Sequence, residues 1–418
     1  MRFLFLTQYF PPEIGAAPTR LSSVIRELRG TGHEVEVVTA LPNYPVGKIQ
    51  PGYVGKFYHR EVQDGVTVHR TWLYATAGSG LPRLMNYLSF VVTSLYGLAR
   101  ATKPDFLFVE SPPLFLAMSG YLYSRLRSVP FILNIADLWP DTVINMGLVR
   151  RGLATDLLIR LERWSYRKAA YVNAITQGIH SCLLLEKKVG PQKVLYLPNG
   201  VSTATYRPQP PDEGLKQKLG LSEKRIVLYA GTLGRAHGLE NVLKSAQLLL
   251  HQPEIHFLFL GDGSERPRLQ KLQSEMGLRN VTFHDFVPLS ELRAFYSIAD
   301  CGLASLLNLQ MFEGARPSKI FAVLASGKPI VYFGQGEGAR LVEQAQAGVV
   351  VTPEDSVALA RTISELLSNP VLMHELGENG RRFVAENYEW SKLVTAWIAS
   401  FSGSPGVAAA PVREPETA

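Results

Sequence analysis

The chain has 418 residues, of which 46% are hydrophobic and 19% are charged, a composition typical of folded globular proteins. It excludes a disordered chain and allows two or three domains with sizeable cores. The formal net charge of +7 indicates an anionic partner, which could be nucleic acid, a membrane surface or a small molecule. The sequence has no module of interleaved aromatic and basic residues, so we expect no nucleic acid partner. Cys182 and Cys301 match no metal-ligand spacing and are predicted to be free thiols in a reducing compartment.

The first half of the chain, residues 1–200, alternates short apolar runs with helical patterns. RFLFLTQ (2–8) predicts a buried first strand rather than a signal peptide. The loop YFPPEIGAAPTR (9–20) follows it, and its small residues Gly15 and Ala16 leave room for an anion beside the next helix start. The loop lacks the GxGxxG pattern of dinucleotide-binding proteins.

Two segments of this half raise the question of a membrane. LPRLMNYLSFVVTSLYGLARATK (81–103) is too interrupted by polar residues to span a bilayer, and we predict a buried helix, with a helix in the membrane interface as the alternative. VRRGLATDLLIRLERWSYRKAAY (149–171) combines an apolar stripe with a cationic face. This pattern is typical either of a helix on an anionic lipid surface or of an ordinary helix with solvated arginines.

The same alternation resumes after a proline-rich linker at 201–224. We predict a second domain at 225–383, a C-terminal helix at 384–401 that crosses back to the first domain, and a loose tail at 402–418. Continuous apolar strands separated by helices indicate parallel sheets covered on both faces. The predicted fold is therefore α/β, with two doubly wound domains and a ligand cleft between them at the carboxyl ends of the strands.

Paired carboxylates that could hold a metal are scarce. The sequence contains no Asp-x-Asp, and NIADLWPD (134–141) places Asp137 and Asp141 four residues apart, where they could share a helix face. We regard this as poor support for a metal site and predict chemistry without a metal or another cofactor.

A glycine-rich turn, YAGTLGRAHGLENVL (229–243), follows a predicted strand. Gly231 and Thr232 begin the turn, and Arg235 and His237 stand just before a helix. Two side chains able to carry positive charge suit a diphosphate. The alternative is a capping role for His237 and a solvated Arg235.

A second candidate phosphate site is ARPSKIFAVLASGKPIV (315–331). Pro317 fits a first helical turn, Ser318 can cap it, and Lys319 then lies beside free backbone N–H groups. A cation at that helix end is disfavoured unless an anion joins both, so we favour a bound phosphate over a lysine that reaches solvent.

Several stretches, in this order, carry a family resemblance: QYFPPEIGAAPTRL, GHEVEVVTALPNYP, DLWPDTVINMG, LPNGV, YAGTLGRAHGLE, GDGSERPRL, PSKIF and ASGKPIV. The chain resembles the family-4 retaining glycosyltransferases of the GT-B class, which have two Rossmann-like domains. It is most similar to the branch that builds bacterial surface polysaccharides from N-acetylated amino sugars. The resemblance covers residues 1–400.

The resemblance implies a nucleotide-linked sugar donor, UDP-linked, held by the second domain, and a lipid-linked sugar acceptor in the first. It implies a peripheral protein on the inner face of the cytoplasmic membrane, in agreement with the basic helix. The departing phosphate oxygen would act as the base, on the same face of the sugar that it leaves. The predicted catalytic residues are Asp137 and Lys319, and the predicted donor-binding residues are Gly15, Ala16, Gly231, Thr232, Arg235, His237, Val287, Glu313, Ser318 and Lys319.

Two departures from the family pattern stand out. Ala322 occupies the position of a glutamate that grips the ribose, and the nearby Glu313 is one place out of register with the family's paired glutamates. Ala136 replaces the histidine or arginine that often precedes the aspartate of DLWP. These departures leave open a catalytically impaired partner subunit, and a UDP-sugar epimerase ranks lower because no well-placed acidic pair is visible.

Overall fold

The computed structural model describes residues 1–78, 80–145 and 152–402. The chain divides into two compact units, one formed by Met1–Asn199 with the segment beginning at Leu393, the other by Gly200–Lys392. Each unit is a sheet of mainly parallel strands covered by helices, as the apolar strand runs predict. The predictions for Arg150, Arg151 and the tail from residue 403 fall outside the described residues.

The described residues of the first unit form eight strands and six helices, followed by the C-terminal part of a later helix. The strands are β1 (Arg2–Leu6), β2 (Glu34–Ala40), β3 (Tyr58–Gln63), β4 (Val66–Thr71), β5 (Phe106–Ser111), β6 (Phe131–Ile135), β7 (Tyr171–Ala174) and β8 (Val194–Tyr196). The helices are α1 (Ala16–Gly30), α2 (Leu81–Arg100), α3 (Leu116–Arg127), α4 (Asp141–Asn145), α5 (Leu153–Lys168) and α6 (Gln177–Leu185).

The strand order of this sheet is β3-β4-β2-β1-β5-β6-β7-β8. Successive strands are added on one side of β1 and then, from β5, on the other, so the topological switch point lies between β1 and β5. All pairs are parallel except β3 with β4. Their hairpin turns at Asp64 and Gly65, which both have positive φ, the conformation that an Asp-Gly turn favours. The sequence analysis missed β3, because its alternating polar residues face solvent at the sheet edge.

Apolar side chains cover both faces of this sheet. One face, with Leu4 and Leu133, packs under α2, α3, α5 and α6. On the other face Trp397 contacts Phe3 and Phe108, and its indole N–H donates a 3.0 Å hydrogen bond to Asn173. The C-terminal helix therefore forms part of the first unit's core.

The second unit contains six strands and nine helices, the last of which continues into the first unit. The strands are β9 (Arg225–Ala230), β10 (Ile255–Leu260), β11 (Val281–His284), β12 (Cys301–Ser305), β13 (Ile330–Phe333) and β14 (Gly348–Val351). The helices are α7 (Glu213–Lys218), α8 (Leu239–Leu248), α9 (Arg266–Glu275), α10 (Leu289–Ile298), α11 (Lys319–Ala325), α12 (Glu337–Gln344), α13 (Ser356–Leu367), α14 (Pro370–Asn387) and α15 (Trp390–Ser402).

The order of this fully parallel sheet is β11-β10-β9-β12-β13-β14, so the topological switch point lies between β9 and β12. The predicted linker belongs to this unit and contains α7, whose first turn is capped by Asp212. Among the described residues, none of the helices combines the length and apolar character needed to cross a bilayer.

Candidate active site

The predicted site residues of the first unit follow β1 and β6, at the carboxyl edge of the sheet. Gly15 is the N-cap of α1 and Ala16 is its first residue. The loop before them is held by the buried Glu13 carboxylate, which accepts hydrogen bonds of 2.8 Å from the backbone N–H groups of Asn43 and Tyr44. Glu13 thus ties the end of β1 to the loop after β2.

Asp137 lies in the turn after β6, outside any helix. Its carboxylate accepts a 2.6 Å hydrogen bond from the Thr142 hydroxyl, and burial raises the pKa of Asp137. Asp141 begins α4 and pairs with Lys187 at 2.6 Å. The predicted shared helix face is therefore wrong, because the chain turns at Leu138–Pro140 and the two carboxylates have different partners.

A buried polar network lies directly behind this edge. Arg20 of α1 pairs with Glu110 at the end of β5, and Glu110 accepts a 2.9 Å hydrogen bond from Asn134. Asn134 in turn accepts a bond from Asn173 at 2.6 Å. The network fixes α1 against three neighbouring strands, and its members come from four separate stretches of sequence.

In the second unit the switch point brings β9 and the loops after β10 and β12 together. Gly231 and Gly261, the residues that follow β9 and β10, have φ of 145° and 149°. A Cβ at Gly261 would lie 2.0 Å from the carbonyl oxygen of Gly231, and a Cβ at Gly231 would lie 3.0 Å from Cε of Lys319. Only glycine fits at both positions, because the two turns and the lysine share one small space.

Lys319 is the residue with the least usual environment in this unit. Its Nζ is buried, has no hydrogen-bond partner among the described residues, and lies 3.6 Å from the centroid of the Tyr229 ring. Burial lowers the pKa of Lys319 well below its ordinary value. An ammonium group without a partner is costly to bury, so this position favours an anionic ligand beside the Gly231 turn.

His237 also contacts the Tyr229 ring, edge to face, with the ring centroids 5.9 Å apart. Its Nδ1 donates a 2.9 Å hydrogen bond to the carbonyl oxygen of Ser305, and the Ser305 hydroxyl donates to the His237 carbonyl at 2.6 Å. Burial lowers the pKa of His237 to about 3. A histidine with this pKa is neutral near pH 7, so His237 holds the turn against β12 and contributes no charge.

The remaining predicted donor residues surround this point. Thr232 is exposed, and its carbonyl accepts a 2.8 Å bond from the Tyr229 hydroxyl. Arg235 is exposed and lines a cavity of about 220 Å³ beside the start of α8. Val287 lies in the loop after β11, next to Phe286, whose ring approaches Gly261.

The structure corrects the predicted start of α11. The helix begins at Lys319, so Pro317 precedes it, and among the described residues Ser318 makes no side-chain capping bond. Ser318 is exposed, whereas Ala322 is half-buried. The Glu313 side chain is also exposed, and its backbone carbonyl accepts a 2.7 Å bond from the first residue of α12, Glu337.

The sequence analysis did not single out Tyr229, Gly261 or Ser305. Tyr229 lies inside an apolar strand run, and its ring reads as ordinary core. Gly261 begins the stretch GDGSERPRL, directly after a predicted strand. A glycine in this place is the one local signal that another backbone segment approaches closely. Within the described parts of the chain, no group of three or more His, Cys, Asp or Glu side chains could hold a metal ion.

Comparison with known proteins places both units. Residues 15–200 match the family model described as "Glycosyl transferase 4-like domain", and residues 212–383 match "Glycosyl transferases group 1". A putative colanic acid biosynthesis glycosyl transferase, WcaI of Escherichia coli, is 30% identical over 382 residues, which cover 88% of this chain and 93% of WcaI. The probable glycosyltransferase WbjE of Pseudomonas aeruginosa is 26% identical, over 69% of this chain and 72% of WbjE.

Solved structures share the fold. Sucrose-phosphate synthase of Thermosynechococcus elongatus superposes with a TM-score of 0.75 at 19% identity, covering 96% of this chain and 100% of that one. Anabaena HepE, crystallised with UDP-glucose, has a TM-score of 0.71 at 17% identity, over 97% and 100% of the two chains. Together with the family models, these matches define a glycosyltransferase with two Rossmann-like domains. The chain belongs to the family-4 glycosyltransferases of the GT-B class, which confirms the predicted family and fold.

Proposed function

We propose that this glycosyltransferase moves an N-acetylated amino sugar from a UDP-sugar to a lipid-linked acceptor, with retention and without a metal ion. The observation that carries the proposal is the buried Nζ of Lys319 at the sheet's switch point, which has no hydrogen-bond partner among the described residues. Once the diphosphate binds and Lys319 takes up a proton, the ammonium group is placed to neutralise the negative charge that develops on the departing diphosphate.

The surrounding residues supply the space and the rigidity. Gly231 and Gly261 allow the backbone to approach the diphosphate closely, and the His237–Ser305 bonds hold the turn in place. The neutral His237 donates no charge, so Lys319 and the exposed Arg235 are the cations assigned to the diphosphate.

The nucleotide and the sugar are assigned from the similar proteins. Structural neighbours crystallised with UDP and UDP-glucose favour a uridine nucleotide, and the name of WcaI favours assembly of a surface polysaccharide. Ala322 cannot grip a ribose hydroxyl, so we assign that contact to the exposed Glu313, and we place Val287 near the base. Gly15, Ala16 and Asp137 are assigned to the first unit's share of the site, where Asp137 would handle the acceptor.

The direct test is incubation of the purified protein with a panel of UDP-sugars and a bacterial lipid extract, with and without EDTA. We expect transfer from a UDP-N-acetylhexosamine that persists in EDTA, and a product that keeps the donor's α-anomeric configuration by NMR. Transfer from a GDP- or ADP-sugar only, or an inverted product, would contradict the donor or the stereochemistry. Undetectable UDP binding at millimolar concentration would point instead to an impaired partner subunit, which Ala322 and Ala136 also suggest.

The low pKa of Lys319 makes donor binding depend on pH. In the free protein burial favours the neutral amine, whereas a bound diphosphate favours the ammonium and raises the pKa. UDP binding should therefore take up a proton at any pH between the two pKa values, and affinity should fall as the pH rises through that window. The measurement is calorimetry of UDP binding in PIPES and in Tris, whose ionisation heats differ.

The same titration with Lys319→Met provides the control for proton uptake. The difference in binding heat between the two buffers should vanish in this variant. If the difference persists, the proton is taken up elsewhere, for example by His237. Equal heats in the wild-type protein would mean that Lys319 is already charged before UDP binds.

We also propose peripheral contact with the inner face of the cytoplasmic membrane, through the helices of the first unit. The apolar helix 81–103 is buried on one face only: Leu81, Met85 and Val92 are 70%, 50% and 67% exposed and lie along one side of α2. Its neighbour α3 exposes Met118, Leu122 and Leu126, which are four residues apart and so also lie along one side. Neither α2 nor α3 contains an acidic residue, which suits an anionic bilayer.

The double variant Met85→Glu/Val92→Glu should lower binding to vesicles of phosphatidylglycerol and phosphatidylcholine about tenfold or more. The reason is that two exposed apolar side chains that would enter the bilayer become charged. Co-sedimentation measures the bound fraction. The matched control is Val357→Glu/Val371→Glu, which changes two valines of the second unit that are 68% and 79% exposed. Equal loss in both double variants would argue against a specific face.

A further inference from the structure

A cavity of about 480 Å³ in the first unit, between α5 and the turn from α6 to β8, is lined by six basic side chains. Its volume lies in the range of small-molecule pockets, about 300–1,000 Å³. The six are Arg160, Arg163, Arg167, Lys187, Lys188 and Lys193, and no acidic residue lines the cavity. The site stands apart from Lys319, which belongs to the other unit.

Two of these cations already have hydrogen-bond partners within the chain. Lys187 donates hydrogen bonds to Asp141 at 2.6 Å and to Glu162 at 2.8 Å. Lys193 donates to the carbonyl oxygens of Tyr166 and Arg167 at 3.5 and 3.1 Å, where α5 ends. These bonds brace the cavity wall, because they tie the 186–193 turn to α4 and to the end of α5.

The other four have no counter-charge. Arg160, Arg163, Arg167 and Lys188 make no ion pair or side-chain hydrogen bond with any part of the chain that the structure describes. Arg163 and Arg167 are four residues apart on one helix face, an arrangement in which like charges destabilise a helix. All four side chains are exposed, and Lys188 brings a further positive charge to the cavity from a segment separate from α5.

The backbone at Lys188 fixes where this lysine leaves the chain. Lys188 has φ of 54°, the left-handed conformation that commonly ends a helix, and the next residue, Val189, donates a 2.8 Å bond back to the Leu183 carbonyl of α6. The turn that ends α6 therefore brings Lys188 to the cavity beside the three arginines of α5.

We propose that this cavity binds a phosphate-bearing ligand with at least two negative charges. Guanidinium groups bind phosphate oxygens in pairs, and three arginines on successive turns of α5 offer that geometry on one wall. The phosphate could belong to a lipid head group or to a soluble phosphate compound. The site is additional to the proposed donor site and does not depend on the identity of the sugar.

Calorimetry with inorganic pyrophosphate tests the cavity in a Lys319→Met background, which removes the proposed donor site from the measurement. We expect one binding site, weakened at least about tenfold by Arg163→Ala/Arg167→Ala. Arg163→Lys/Arg167→Lys should recover part of the affinity, because charge remains but the paired geometry is lost. The matched control is Arg361→Ala/Arg382→Ala, two exposed arginines of the second unit.

Vesicle co-sedimentation separates the two sources of phosphate. If Arg163→Ala/Arg167→Ala weakens binding to vesicles containing phosphatidic acid but not to phosphatidylcholine vesicles, the ligand is a head group. If pyrophosphate affinity falls while vesicle binding is unchanged, the ligand is soluble. Unchanged pyrophosphate and vesicle binding in this variant would overturn the proposal.

Thermal melting and UDP binding complete the test. Both should match the wild-type protein when only Arg163 and Arg167 are changed, so a failure of the cavity is distinguishable from a failure of the donor site. If the double variant melts early, Lys188→Ala replaces it. Pyrophosphate affinity that is unchanged in Lys188→Ala would then count against the site.

Discussion

Lys319→Met is expected to reduce the transfer rate about 100- to 1,000-fold, the effect of removing one preorganised charge donor from a transition state. Methionine preserves the length and apolar stem of the side chain but removes the charge beside Tyr229 and Gly231. The free energy of unfolding should stay equal or rise, because an unpartnered buried amine is replaced by an apolar group. The measurements are single-turnover transfer, UDP calorimetry and chemical denaturation.

The matched control for this prediction is Lys328→Met, at the other end of the same stretch. Lys328 donates a 3.2 Å bond to the carbonyl of Ser297, so its loss should cost about 1 kcal/mol of stability and leave UDP binding unchanged. We therefore expect Lys319→Met to lose activity but not stability, and Lys328→Met to lose stability but not UDP binding. Unaltered UDP binding by Lys319→Met would contradict the proposal that Lys319 binds the diphosphate.

Gly261→Ala should eliminate UDP binding and destabilise the second unit. Its Cβ would lie 2.0 Å from the carbonyl oxygen of Gly231, and its φ of 149° is unfavourable for alanine. Overpacking costs about 1–3 kcal/mol, and backbone strain adds about 1–3 kcal/mol. Relief of the clash requires Gly231 to move away, and this shift would displace the backbone from Lys319. Denaturation and UDP calorimetry measure the two effects separately.

Gly277→Ala controls for positive φ without a clash. Gly277 has φ of 62°, and a Cβ there would meet no atom within 4 Å. The variant should lose about 1–2 kcal/mol from backbone strain alone, with unchanged UDP binding. If Gly261→Ala behaved like Gly277→Ala in both measurements, the Gly231–Gly261 approach would not be needed for the site.

The alternation of strands and helices could be predicted from local chemistry. Runs such as RFLFL and FILNI are apolar at most positions, a pattern typical of a strand buried on both faces of a sheet. The family motifs indicated the GT-B fold, and several of them, such as DLWPDTVINMG and GDGSERPRL, follow a strand. β3 could not be found by this signal, because the polar residues of an edge strand with one solvent-exposed face give it a sequence pattern like that of a loop.

Helix exposure was harder to predict than helix position. The segment 81–103 is apolar on nearly all sides, so its sequence does not say which side packs inward. Phe90 and Leu98 turn to the core while Met85 and Val92 turn outward, and the choice depends on the residues that the sheet presents beneath α2. The predicted buried helix is therefore correct for one face and wrong for the other.

The sequence by itself determined that a helix follows ARPS, although it begins later than predicted, and that glycines follow β9 and β10. Only the tertiary structure decided that Lys319 lies against Tyr229 without a hydrogen-bond partner among the described residues, and that His237 is neutral. The physical reason is that the protonation state and the hydrogen-bond partners of a side chain depend on burial by residues that lie far apart in the chain. Lys319 meets Tyr229, and His237 meets both Tyr229 and Ser305, because the switch point joins β9 to β12, a contact that no local pattern encodes.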